Sequence, residues 1–154
     1  MLLPLHCPSH DHYQSYLLVG IQLLCLGLIV LTGPLIAKGW ILGGLEFVGV
    51  ALGVWALGSM SLRNMNIFPE VKTGSTLVTH GPYHYIRHPM YTAVLLISLA
   101  MVLNEWSWLR VCLWVVLAAD LLVKLRYEER LLSEHFESYQ AYQRRTACLL
   151  PYLF

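Results

Sequence analysis

The chain has 154 residues, enough for one domain, and 57% of them are hydrophobic against 12% charged. A soluble domain carries about 25% charged residues, and one of this size cannot hide so much apolar surface, so lipid must solvate part of it. A net charge of +1 and a mean hydropathy of +0.58 exclude disorder and offer no basic field for a nucleic acid.

The N-terminal stretch MLLPLHCPSHDHYQSY has no Lys or Arg before its first apolar run, so it lacks the basic region of a secretory signal, and the run is expected to stay as a membrane span. His6, Cys7, His10 and His12 read as an exposed tail. No charge occurs between Asp11 and Lys38, which predicts a first span over 15–37, kinked near Gly33-Pro34. A second span is predicted over 40–60, with Glu46 inside it and Gly43, Gly44, Gly49 and Gly53 to permit close helix approach.

Ser61 to His88 is polar and punctuated by Gly and Pro, long for a connection without function. The uncharged run after His88 predicts a helix over 89–104. Asn104-Glu105 marks a turn, and 106–125 returns as a fourth span, carrying Arg110 and Asp120. The tail KLRYEERLLSEHFESYQAYQRR is amphipathic, with Leu125, Leu131, Leu132, Phe136 and Tyr139 at helical spacing, and is expected to extend the fourth helix and lie on the interface. The fold class expected is therefore all-α: a single integral membrane bundle, 1–154, of about four transmembrane helices with a C-terminal interfacial helix. Eight of the ten basic residues fall in the second connection and the tail; only Lys38 and Arg110 fall on the other side. The positive-inside rule then puts both termini and the Ser61–His88 loop in the cytoplasm.

Two polar segments are expected at that same face, 75–91 and 124–132. In the first, Pro82 and Pro89 fix the local backbone and gather Tyr83, Arg87, His88 and Tyr91 at one helix mouth. An interfacial anchor would use the same residue types. In the second, Glu128 lies one turn after Lys124 and beside Glu129; a solvated helix face would look alike. Paired carboxylates beside an Arg/His/Tyr loop suit a polar, cationic ligand. Asp120, one turn from Lys124, reads as that residue's structural partner, whereas Glu46 either faces the bundle interior or lines a path through it. No metal site is expected. The four cysteines, Cys7, Cys25, Cys112 and Cys148, form no C-x-x-C pair, and Gly81-Pro82 and Pro89 prevent His80, His84 and His88 from sharing one helix face.

G-P-Y-H-Y-I-R-H-P-M-Y (81–91), followed by E-E-R-L-L (128–132), F-E-S-Y-Q-A-Y (136–142) and a terminal L-P, resembles the isoprenylcysteine carboxyl methyltransferase family and is similar to the related phospholipid N-methyltransferases. The likeness covers Phe68 to Pro151. It implies an integral membrane enzyme that uses S-adenosyl-L-methionine without a soluble nucleotide-binding domain. By that resemblance Leu77, Val78, Tyr83, His88, Pro89 and Tyr91 line the cofactor pocket, Arg87 braces the loop, and Glu128 with Glu129 closes over the cofactor. Arg87, His88 and Glu128 are the implied catalytic residues, and Lys124 and Arg126 face the substrate.

The implied reaction is methyl transfer to a lipophilic, membrane-dissolved acceptor: a carboxylate, or alternatively a phospholipid or small amine. Prenylated protein is not the expected substrate. Lys124 stands where a bidentate Arg would clamp a carboxylate, and the chain has few spans. The expected partners are the bilayer and a lipophilic or lipidated substrate, with no nucleic acid, and the Gly-rich second helix would permit a homo-oligomer. A non-catalytic membrane module on the same scaffold is the alternative from another class.

Overall fold

The computed structural model describes residues 8–60 and 77–150, with side chains from residue 13 onward. His6, Cys7, Arg63, Lys72, Pro151, most of the 61–88 connection and the side chains of His10 and His12 lie outside the described residues.

Among the described residues five α-helices follow one another: α1 (Pro8–Leu31), α2 (Trp40–Ser59), α3 (Pro89–Asn104), α4 (Trp108–His135) and α5 (Tyr139–Gln143), with a 3-10 turn over Gly81–His84 ahead of α3. Among the described residues there is no strand; one parallel bridge joins Ile86 to Ala147. The protein is an all-α membrane bundle. Among the described residues two segments, Tyr13–Leu31 and Trp40–Ser59, are long and apolar enough to cross a bilayer.

The helix limits follow from local chemistry. α1 stops at Leu31, and residues 32–39 form an irregular connection. Gly33-Pro34 thus ends the helix instead of kinking it, since proline donates no backbone hydrogen bond and disfavours helical geometry in the residue before it. α3 begins on Pro89, whose fixed φ suits a first helical position. It ends at Asn104, and Glu105 leaves the helical region with φ −128, ψ 86. α4 starts two residues later than the sequence reading and then continues unbroken past the bilayer-length portion to His135.

α2 packs mainly along α3, and α1 along α4. A side chain on Gly49 would collide with Ile97 and with the Ala93 carbonyl, and Gly53 abuts Ala93, whereas Gly43 and Gly44 do not touch α3. The core joins Cys25 and Ile29 of α1, Met101 and Val102 of α3, and Leu117 and Leu121 of α4. Outward positions are also apolar: Leu17, Leu23, Leu24, Ile41, Phe47, Val54, Val115, Val116 and Val123 are all exposed. A surface of that kind is solvated by lipid. Three charges of α4 turn the other way: Arg110, Asp120 and Lys124 are buried inside the bundle.

At one end of the bundle the polar groups serve the connections. Glu46 Oε2 accepts the Ala37 backbone N–H at 2.8 Å, and Asn104 Oδ1 accepts that of Lys38 at 2.7 Å. Arg110 Nη2 donates to the Met101 carbonyl at 2.7 Å. Glu46 therefore ties down the α1–α2 connection.

Candidate active site

At the opposite end the 3-10 turn, the start of α3 and the second half of α4 converge. Gly81 has φ +63 and lies against Ser59, so a side chain there would be both strained and blocked. Pro82 and Tyr83 are buried in the turn, and the Tyr83 hydroxyl lies 4.0 Å from Met60 Sδ. His88 precedes Pro89 and takes φ −124, ψ 60, outside the helical region, as a residue before proline must. That sends its ring across the mouth of α3 toward α4.

There the imidazole sits between two carboxylates. Nδ1 is 3.6 Å from Glu128 Oε2, and Nε2 is 3.5 Å from Glu129 Oε1. Both distances exceed a hydrogen bond. His88 is only 8% exposed, and its Nε2 has no hydrogen-bond partner among the described residues. The Tyr91 ring stacks on His88 with a centroid distance of 5.4 Å, and its hydroxyl donates to Glu128 Oε1 at 2.5 Å. Lys124 Nζ lies 5.6 Å from the Tyr91 ring centroid and donates to Gln22 Oε1 of α1 at 3.1 Å. Asp120 is buried one turn earlier, and neither of its carboxylate oxygens has a hydrogen-bond partner among the described residues.

The two glutamates have opposite electrostatics. Burial alone would raise the Glu129 pKa, but the adjacent His88 and Arg87 outweigh it and hold the carboxyl at about 2. Burial raises that of Glu128, against the lowering influence of His88, the Tyr91 hydroxyl and Lys124. Burial, then the Glu128 charge, pushes the Tyr83 phenol up to about 12, so it stays a proton donor at neutral pH.

Arg87 fixes the arrangement. Its Nε donates to Glu129 Oε1 at 2.6 Å, and its Nη1 donates to the Gln143 carbonyl at 3.0 Å and to that of Thr146. The chain after α5 then runs back along the loop as a strap. Arg87 N–H donates to Ala147 O at 2.8 Å, His88 N–H to Cys148 O at 3.1 Å, and Ala147 N–H to Tyr85 O at 3.0 Å. Thr92 Oγ1 donates to Leu149 O at 2.6 Å, and the Tyr142 hydroxyl to Tyr83 O at 2.6 Å. An open hollow of about 520 Å³ on the far side of Arg87 is lined by Arg87, Ser133, Gln140, Gln143 and Arg144. It shares Arg87 with the cluster, but His88, Tyr91, Glu128 and Glu129 do not line it.

Arg87, His88, Tyr91, Glu128 and Glu129 thus meet, with Lys124 beside Tyr91 and Pro89 buried beneath. Leu77 and Val78 are half-buried at the start of the described segment. Arg126 is exposed and makes no ion pair or hydrogen bond among the described residues.

The sequence profile of phospholipid methyltransferases matches residues 35–139, more than half of the chain and including every residue of this cluster. The chain belongs to the phospholipid methyltransferase family. The family is one of membrane methyltransferases, and the apolar helices suggest a membrane location. Two relatives each align over 83 residues, 53% of this chain. The uncharacterized protein YpbQ of Bacillus subtilis (strain 168) is 36% identical, with 48% of its length covered. The cobalt-zinc-cadmium resistance protein CzcN of Cupriavidus metallidurans is 34% identical, with 38% covered. The chain therefore spans about half or less of the length of these relatives.

In this phospholipid methyltransferase family member, sequence reasoning missed the supporting roles of Gln143, Thr146, Ala147 and Cys148. Their contacts to the loop are mostly backbone hydrogen bonds, which residue identity does not reveal. The one available signal was the terminal part of the motif pattern, F-E-S-Y-Q-A-Y and beyond.

Proposed function

We propose that the protein is an S-adenosylmethionine-dependent methyltransferase acting on a lipophilic acceptor dissolved in the bilayer. In this reading the chain crosses the membrane several times, with the His88 cluster at the cytoplasmic face. The observation that carries the proposal is the buried imidazole held between Glu128 and Glu129, with one ring nitrogen left without a partner. A buried polar atom with no partner requires one. A zwitterionic sulfonium donor brings both a cationic centre for the carboxylates and polar groups for the imidazole.

The residues present fit that donor. His88, Tyr91 and Glu128 would hold it, Tyr83 offers an aromatic wall, and Arg87 with Glu129 keeps the loop shaped around it. When bound, the donor supplies a methyl group on sulfur with its leaving group already in place. The chain's own task is then to align the acceptor and keep water out. Lys124, buried beside Tyr91, provides the positive charge that an acceptor carboxylate would meet. The raised pKa of Glu128 favours a second reading, an amine acceptor, because an amine must lose a proton and a carboxylate of raised pKa accepts one more readily. Leu77, Val78 and Arg126 remain part of the proposal as residues flanking the donor and the acceptor, and a second copy of the chain is a further proposed partner.

The test is calorimetric titration of S-adenosylmethionine into purified protein in detergent. His88→Ala and Glu128→Gln should each abolish the binding that the unaltered protein shows. Tight binding by both variants would refute the site.

A further inference from the structure

We propose that His88, Glu129 and Cys148 bind one borderline-soft divalent cation of the zinc type, and that the bound cation shuts off the proposed methyl-donor site. The regulatory half rests on the reading above; the binding half does not.

The three ligating atoms lie within 4.8 Å of one another. Glu129 Oε1 is 3.5 Å from His88 Nε2 and 3.9 Å from Cys148 Sγ. Metal bonds of about 2.0–2.3 Å in a tetrahedron set ligand–ligand edges of roughly 3.3–3.6 Å, so two edges are nearly in place and the third must close by about 1 Å. The independent observation is the imidazole itself, which is 8% exposed with Nε2 lacking any hydrogen-bond partner among the described residues. On the ring's other side, Nδ1 faces the Glu128 carboxylate at 3.6 Å. Both ring nitrogens face carboxylates, so a cation on Nε2 displaces any proton shared with Glu129, and the Nδ1–H is then directed at Glu128, as in carboxylate–histidine–metal arrangements.

The ligands come from elements already locked together. The His88 N–H donates to the Cys148 carbonyl at 3.1 Å, which ties the strap to the loop, and α4 brings in Glu129. A mixed nitrogen, oxygen and sulfur set selects zinc-like ions over magnesium or calcium. On binding, the Cys148 S–H bond breaks, its proton leaves to solvent, and a sulfur–metal bond forms with no change of oxidation state. One thiolate and one carboxylate then neutralise the dication. Arg87 opposes it, since its Nε is 2.6 Å from the same Glu129 oxygen, so the ion takes the carboxylate's remaining lone pairs. The cation uses His88 Nε2 and Glu129, and a bound donor needs that same face of the imidazole, so the two exclude each other.

Cobalt(II) titration of the detergent-solubilised protein tests the site without any assay of activity. The unaltered protein should develop a thiolate-to-cobalt charge-transfer band saturating at one equivalent and reversed by zinc. Cys148→Ser should lose the band. Cys7→Ser, which alters the other cysteine near histidines, should keep it. The absence of a band in the unaltered protein, or its loss in Cys7→Ser with retention in Cys148→Ser, would overturn the site. In methyl-transfer assays, half-inhibition by zinc, taken against each protein's own uninhibited rate, should move upward in Cys148→Ser by about tenfold to hundredfold. Zinc binding at Cys148 with methyl transfer unimpaired would overturn the regulatory half. A cobalt band in a protein that transfers no methyl group would count against the proposed function and leave the metal site standing.

Discussion

The two ends of the bundle use charge in opposite ways. At the α1–α2 end, Glu46, Asn104 and Arg110 each meet a backbone group, at 2.8, 2.7 and 2.7 Å. These contacts satisfy connections that would otherwise bury bare N–H and C=O groups. At the opposite end, where α3 begins and the second half of α4 arrives, charged side chains face one another. His88 lies between two carboxylates, and Arg87 joins one of them to the strap. An acid or base inside a membrane bundle thus marks a site only when it is turned toward other reactive side chains. Glu46 and Glu128 are both half-buried acids on helices, and their partners distinguish them.

The largest effect separating the two ends is expected from Arg87→Ala. It leaves Glu129 without its ion pair and frees the strap, which should cost about 3–5 kcal/mol, as for a broken buried pair. Donor binding should disappear with it. Arg110→Ala should cost about 1 kcal/mol, the loss of one hydrogen bond to a Met101 carbonyl that keeps the Glu105 N–H at 3.4 Å, with methyl-donor affinity unchanged. Thermal unfolding and calorimetry on both variants check this. Loss of donor binding in Arg110→Ala would dissolve the distinction between the ends.

A smaller effect is expected with pH. Glu129 is held at about 2 against an ordinary 4.5, so in this range the unfolded chain binds more protons than the folded one. Its contribution to stability is therefore complete above about pH 4.5 and is lost as the pH falls toward 2. Glu128, shifted upward, works the other way: its contribution falls as the pH rises through its folded value. Glu129→Gln should flatten the decline of Tm between pH 4.5 and 2, and Glu128→Gln should not. The smallest effect is expected from Glu46→Ala, about 1 kcal/mol for one lost hydrogen bond, with methyl transfer unchanged. A larger loss of activity than of stability would move Glu46 into the site.

Much of this organisation could be read from residues alone. α3 runs over 89–104 as its pattern predicted, because Pro89 sets the start and the uncharged run stops at Asn104-Glu105. The meeting of Arg87 and His88 with the glutamate pair was likewise legible as a motif. The end of α1 was not: Gly33-Pro34 terminates the helix, and a hydropathy pattern does not separate a kink from a stop. The strap over 144–150 was invisible because it is held by backbone hydrogen bonds and its sequence, RRTACLL, has no periodicity. The partner of Glu46 was hidden for the same reason, being a backbone N–H nine residues earlier.

The most direct measurement is photo-crosslinking of a labelled S-adenosylmethionine analogue to the protein in membranes, followed by peptide mapping. The account predicts saturable label, competed by unlabelled donor, on both 77–91 and 124–132. Label confined to one of these segments, or falling at the Glu46–Arg110 end, would contradict it.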